Sequence, residues 1–106
     1  MKVRVWLSDR HYYVLSRFLL SRVLTAIKVD YTKAIRISLD LKKTLVDKDL
    51  LVVQQDVLES HLFDLLLWNG YGEETVKLYK MFSRFGGFTH SLVLGSPHPQ
   101  ESLLLP

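Results

Sequence analysis

Arg17 and Arg22 lie five residues apart in an otherwise mostly apolar segment, SRFLLSRVLTAI, residues 16–27. On a helical wheel of about 100° per residue, neither arginine belongs to the apolar side. One half of the wheel collects the aliphatic residues Leu15, Leu19, Leu20, Val23, Leu24, Ala26 and Ile27. The other half carries, in order, Arg17, Ser21, Thr25, Phe18 and Arg22. The segment therefore predicts an amphipathic helix whose polar strip is flanked by two cations.

The residue types of this strip suit an anionic aromatic ligand. Guanidinium groups bind phosphate through paired donors, and hydroxyl groups supply further hydrogen bonds. The ring of Phe18 offers a stacking surface, so a nucleotide fits the description. A second interpretation stays open. Charged strips are often simply solvated, and Phe18 would then pack under the first strand.

The charge is unevenly distributed along the chain. Residues 1–43 contain ten Lys and Arg against three Asp, whereas residues 44–85 contain four Lys and Arg against seven Asp and Glu. A basic first half favours an anionic small molecule as partner. Mutual attraction of the two halves explains the asymmetry equally well.

Hydrophobic periodicity predicts a mainly α fold. KVRVWL alternates with period two and predicts a half-buried strand, and SDRHYY reads as a turn or the start of a helix. Helices are expected over residues 14–28, 31–46, 56–68 and 73–85, with a short extended stretch at 50–53. Residues 56–68 are apolar nearly all round, which places that helix in the middle of a small bundle.

The expected architecture is thus a small four-helix bundle with a short N-terminal β-strand, over residues 1–85. Residues 86–106 contain Gly-Gly and three prolines without a helical period, and predict an irregular tail. Within that tail HSLVLG is compatible with a strand.

Other catalytic or metal chemistry is not indicated. The chain has no cysteine, and its four histidines lack metal-ligand spacing, so we expect neither a metal nor catalytic residues. The start, MKVRVWLSDR, has no signal-peptide pattern, and no apolar run approaches the ~20 residues that a membrane helix needs. These features predict an intracellular protein, cytoplasmic or nuclear, without a membrane partner. Nucleic acid is the least expected partner, because no aromatic strand of the RNA-binding type is evident.

The ordered motifs resemble a known family. A strand is followed by a helix opening with Ser-Arg, then Asp30 and Ala34 in Asp-x-x-x-Ala, Gly70-Tyr71, and Tyr79. This set resembles the ATP-cone domain, a small helical nucleotide-sensing module of ribonucleotide reductases and 2-phosphoglycerate kinases. Of these resemblances, the closer is to the ATP-cone-like N-terminal domain of plant low-phytic-acid-type P-loop kinase-like proteins, which are related to 2-phosphoglycerate kinase. There SDRHYYVLSRFLLSRVLTAIK, LKKTLVDKDLL, GYGEE and YKMFSRF have near counterparts, and the resemblance covers about residues 2–85.

The resemblance implies a regulatory domain that binds ATP or dATP between a small sheet and a helical bundle. The implied contacts are Val5, Ser8, Asp9 and Arg10 in the first strand and turn, with Ser16 and Arg17 at the head of the first helix. Phe18, Ser21 and Arg22 of the polar strip complete the candidate nucleotide- or phosphate-binding set. The turn reads SDRH here, whereas the family usually has Lys-Arg-Asp-Gly.

The sequence contains no Gly-x-x-x-x-Gly-Lys-Ser/Thr motif, so it lacks the loop with which P-loop kinases cradle the β- and γ-phosphates and hold Mg²⁺. We therefore expect a non-catalytic chain, truncated before its kinase domain. The expected function is that of a nucleotide-binding or regulatory domain linked by resemblance to phytate or inositol phosphate metabolism. Its partner would be an anionic small molecule, namely a nucleotide, or an attached or partner kinase domain. The alternative is a protein–protein interaction module without a small-molecule ligand.

Overall fold

Helices dominate the fold, as the computed structural model of residues 2–95 shows. The elements, in chain order, are β1 (Arg4–Trp6), β2 (Tyr12–Val14), α1 (Arg17–Ala26), α2 (Tyr31–Asp47), β3 (Val52–Gln54), α3 (Gln55–Trp68), α4 (Glu73–Arg84) and α5 (Gly87–Gly95). The predicted fold class, mainly α with a short N-terminal strand, is confirmed. Two elements, β2 and α5, were not expected.

The N-terminal strand is the centre of a three-stranded sheet. The strand order is β2-β1-β3, with β1 antiparallel to β2 and parallel to β3. The register aligns Tyr13, Val5 and Val53 in one row, and all three are buried in the core. The turn predicted for SDRHYY is confined to its first residues, because Tyr12–Val14 returns as a strand beside β1.

Helices α1 and α2 form an adjacent pair joined by residues 27–30. α1 begins at Arg17 because the Leu19 N–H donates to Ser16 Oγ at 3.0 Å, which caps the helix. Asp30 caps α2 in the same way, accepting from the Lys33 N–H at 3.3 Å. The aliphatic half of the α1 wheel is buried as predicted, apart from Ala26, which is exposed.

Helix α3 does not lie in the middle of the bundle, contrary to the prediction. Leu58, Leu62 and Leu66 face the core, but Leu67 and Trp68 are 70% and 88% exposed. The reason is that α3 packs on α2, the sheet and α4, and none of these elements covers the side of its last turn that carries Leu67 and Trp68. Its high apolar content therefore leaves an uncovered surface at its C-terminal end.

Residues 87–95 are helical, so the predicted irregular tail is wrong for this part, and HSLVLG is not a strand. Phe88, Ser91 and Leu92 have helical i, i+3, i+4 spacing and are buried. They pack α5 against α1 and α4, and the Phe88 ring lies 5.4 Å from the Tyr13 ring. Residues 96–106, the rest of the predicted tail, lie outside the described residues.

Candidate functional site

An open groove of about 460 Å³ runs between α1 and α2. From α1 and its cap it is lined by Ser16, Arg17, Phe18 and Ser21. From α2 it is lined by Tyr31, Ile35, Ser38 and Lys42, whose i, i+4, i+7, i+11 spacing places them on one face of that helix. Four of the nine residues predicted from the sequence therefore lie together in one groove.

The groove is cationic near the N-terminus of α1. Because α1 and α2 are consecutive helices joined by a short turn, we infer that they run antiparallel, which brings Lys42 towards the start of α1. Arg17 and Lys42 have no carboxylate within 4.0 Å among the described side chains, where Lys77–Glu73 is the ion pair found. Helix N-termini carry free N–H groups and a partial positive charge, so this end favours an anion.

Two aromatic rings border the groove and are largely exposed. Phe18 is 57% exposed and Tyr31 is 67% exposed, so Phe18 does not pack under the first strand. The guanidinium carbon of Arg22 lies 5.3 Å from the centroid of the Phe18 ring. Arg22 thus makes a cation–π contact with the Phe18 ring and is not itself among the residues that line the groove.

The hydroxyl groups of the groove differ in their availability. Ser21 and Ser38 donate to the backbone carbonyls of Phe18 and Ala34, at 3.1 and 2.7 Å, so their protons are already used. Ser16 Oγ instead accepts from the Leu19 N–H, and its own proton has no acceptor among the described residues. Among the three serines of the groove, Ser16 is therefore the one whose hydroxyl can donate to a bound anion.

The remaining predicted contacts are not part of this groove. Val5 is fully buried in the central row of the sheet, so its side chain cannot touch a ligand there. Ser8, Asp9 and Arg10 are exposed in the β1–β2 turn, where Ser8 Oγ and His11 Nδ1 share a 3.0 Å hydrogen bond. β2 separates this turn from α1, and three strand residues span roughly 10 Å. The sheet thus holds the turn away from Ser16 and Arg17.

Four groove residues on α2 were missed from the sequence. The missed set is Tyr31, Ile35, Ser38 and Lys42. Ile35 is apolar but exposed, whereas the polar Ser38 is buried, so residue type alone did not indicate which side of α2 faces the groove. The spacing of Tyr31, Ile35 and Lys42 was visible in the sequence, but it gives no information on which other helix they face.

A second cluster of polar side chains forms a hydrogen-bond network rather than an open groove. Tyr79 Oη donates to Glu59 Oε2 at 2.7 Å, and Tyr13 Oη donates to Gln55 Oε1 at 2.7 Å. Gln55 Nε2 donates to Glu59 Oε2 at 3.2 Å and closes the network. Burial raises the pKa of both tyrosines, and the neighbouring Glu59 raises the pKa of each further. The network joins β2, α3 and α4 and has a structural role.

Residues 2–95 contain neither a metal-ligand cluster nor a membrane-spanning helix. No three His, Cys, Asp or Glu side chains of that part gather as metal ligands would. None of its helices combines the length and apolar character needed to cross a bilayer. No protein-family model, curated protein or solved structure matches the chain.

Proposed function

We propose that this chain is a non-catalytic domain that binds a nucleotide in the α1–α2 groove. The observation that supports the proposal is the grouping of Ser16, Arg17 and Phe18 with Tyr31 and Lys42 around one open space. Unpaired cations and a helix N-terminus suit phosphates, and exposed rings suit a base.

The groove gives the ligand an orientation. The phosphates would lie at the N-terminus of α1, where Arg17, Lys42 and the Ser16 hydroxyl line the groove. The base would lie towards Tyr31, which is eleven residues from Lys42 and therefore about 16 Å away along α2. A nucleoside triphosphate extended along the groove would contact both ends.

The resemblance to ATP-cone domains supports ATP or dATP as the ligand and regulation of an attached or partner kinase domain as the role. The link to phytate metabolism makes inositol hexakisphosphate a second anion to test. It has no aromatic part, so it would use the cations of the groove without its rings.

Calorimetric titration with ATP, dATP and inositol hexakisphosphate tests this proposal. We expect Arg17→Ala to weaken ATP binding by about tenfold or more, because a charge-assisted hydrogen bond contributes about 1.5–3 kcal/mol. Arg36→Ala is the matched control, since Arg36 is an exposed α2 cation that does not line the groove. Absence of heat with all three ligands would overturn the proposal, as would equal weakening in the two variants.

The uncovered end of α3 favours a second candidate, a protein-interaction module without a small-molecule ligand. Leu67 and Trp68 are large, apolar and mostly exposed, as are Met81 on α4 and Phe85 immediately after it. Surfaces of this kind often contact other proteins. Thermal shifts with ATP and with the P-loop kinase domain of a related protein separate the two candidates. If the chain is an interaction module, the kinase domain should stabilise it and ATP should not. This stabilisation should be lost in Trp68→Ala.

A further inference from the structure

The outward face of the sheet carries two aromatic side chains and one cationic side chain. Its first row, set by the register, is Tyr12, Trp6 and Gln54, and its second row is Val14, Arg4 and Val52. Alternation in β1 buries Val3 and Val5 on the other side. Tyr12, Val14 and Val52 are 40%, 44% and 62% exposed, so this face is open to solvent.

The aromatic side chains form a cluster that exists only in the folded sheet. Trp6 and Tyr12 are cross-strand partners whose ring centroids lie 4.9 Å apart at 41°. The Arg4 guanidinium carbon lies 5.6 Å from the Tyr12 ring centroid on the same face. Neighbouring rings and a guanidinium plane are the surfaces on which unpaired bases stack.

The charge on this face has one sign. The six outward side chains include the cation Arg4 and no carboxylate. Exposed Lys2 precedes β1, and exposed Arg10, next to Asp9, lies in the turn that follows it. A linear polyanion laid along β1 would therefore meet cations before, within and after the strand.

We propose that this face binds single-stranded nucleic acid. One or two bases stack on Trp6 and Tyr12, and the backbone phosphates contact Lys2, Arg4 and Arg10. The Gln54 amide, which lies beside Trp6 in the same row, donates to or accepts from a base edge. This site is separate from the α1–α2 groove and does not depend on it. It was not evident from the sequence because Tyr12 was assigned to a turn or the start of a helix.

Fluorescence anisotropy of a labelled oligouridylate and oligothymidylate of about twelve nucleotides tests the proposal. We expect Tyr12→Ala to weaken binding about fivefold or more, and Tyr12→Phe, which keeps the ring, to bind nearly as wild type. Arg4→Ala should lower the slope of log affinity against log salt by about 0.7, the value for one lost phosphate contact on a single strand. Circular dichroism confirms that each variant is folded.

Three variants serve as controls because they lie off the sheet. Trp68→Ala removes an exposed tryptophan from α3, and Arg36→Ala removes an exposed cation from α2. Neither should alter oligonucleotide binding. Arg17→Ala should weaken ATP binding and leave oligonucleotide binding unchanged. Failure of this proposal can therefore be distinguished from failure of the proposed function.

Several outcomes would overturn the proposal. No anisotropy change at low salt would do so. Equal losses in Arg4→Ala and Arg36→Ala would show diffuse attraction to a basic chain rather than a site. Self-association that Tyr12→Ala abolishes, without oligonucleotide binding, would make the face a contact between copies of the protein.

Discussion

Two buried tyrosines have the clearest consequence among single residues. Burial and the nearby Glu59 carboxylate raise the pKa values of Tyr13 and Tyr79 above the ordinary value near 10. In the unfolded chain both side chains ionise near pH 10, whereas in the fold they keep their protons. The unfolded state therefore binds fewer protons above that pH, and the free energy of unfolding must fall as pH rises.

We expect the stabilising contribution of these tyrosines to be intact below about pH 10 and to be lost above it. The free energy of unfolding should fall by about 1.4 kcal/mol per pH unit for each tyrosine. Urea unfolding at increasing pH measures this slope. Tyr79→Phe should reduce the loss by about half, and at neutral pH it should cost about 1–2 kcal/mol because Glu59 loses a donor. Tyr31→Phe, at an exposed position, should change neither. An unchanged alkaline slope in Tyr79→Phe would contradict this account.

The sequence predicted the side chains of α1 well, because their orientation depends on local helical periodicity. It did not predict what lies opposite them. Lys42 and Tyr31 enter the groove from another helix, and Glu59 meets Tyr79 across 20 positions of the chain. Val5 was assigned to the ligand through resemblance, but its alternation with Arg4 and Trp6 had already indicated burial.

At the scale of elements, Ser16 has a structural role as the N-cap of α1 and a proposed role in binding phosphate, and variants can separate the two. Ser16→Ala should cost about 1 kcal/mol of stability, because the Leu19 N–H loses its acceptor. Ser16→Asp keeps an acceptor at this position and should keep the stability within about 0.5 kcal/mol, since Asp is a good N-cap.

The same Asp would place a negative charge beside Arg17 in the groove, so ATP binding should be lost although the helix stays capped. Urea unfolding and calorimetry on the two variants measure both effects. Ser60→Ala, at an exposed position within α3, is the control and should leave both quantities unchanged. Full ATP affinity in Ser16→Asp would exclude an anion at this helix end.

The junction of α4 and α5 depends on a glycine. A Cβ at Gly87 would lie 2.6 Å from the Phe82 ring, so Gly87→Ala forces that ring or α5 to move. We expect a cost of about 1–3 kcal/mol, as for other overpacked sites, in urea unfolding. Gly72→Ser is the matched control. Its Cβ meets no atom within 4 Å and serine suits the N-cap of α4, so stability should stay equal or rise slightly. Equal losses in both variants would contradict the packing argument.

The two elements that the sequence analysis did not predict, β2 and α5, were missed for the same physical reason. β2 has three residues, Tyr-Tyr-Val, which is too short to show alternation, and β1 stabilises it as a partner that sequence patterns do not reveal. α5 begins at the second glycine of Gly86-Gly87, a pair that suggests a break, yet Phe88 and Leu92 bury it against α1 and α4. In both cases the element depends on a tertiary partner that local sequence patterns do not reveal.

For the whole molecule, the basic and acidic halves are not joined by close ion pairs in the described part of the chain. The pair found there, Lys77–Glu73, lies within α4 and is exposed. Such a pair contributes little, so sodium chloride alone should change the free energy of unfolding by less than about 1 kcal/mol. The uncompensated charge of the first half is then available to a ligand rather than committed to the fold.

Ligand binding should therefore raise the free energy of unfolding of the whole domain. A ligand that binds only the folded state at about ten times its Kd adds about 1.4 kcal/mol, which raises Tm by about 6–11 °C for a domain of this size. In differential scanning calorimetry, ATP should produce this shift in the wild type and in Arg36→Ala. Arg17→Ala should need about ten times more ATP for the same shift, because its affinity is about tenfold lower. Equal shifts in Arg17→Ala and wild type at one ATP concentration would place the nucleotide elsewhere on the molecule.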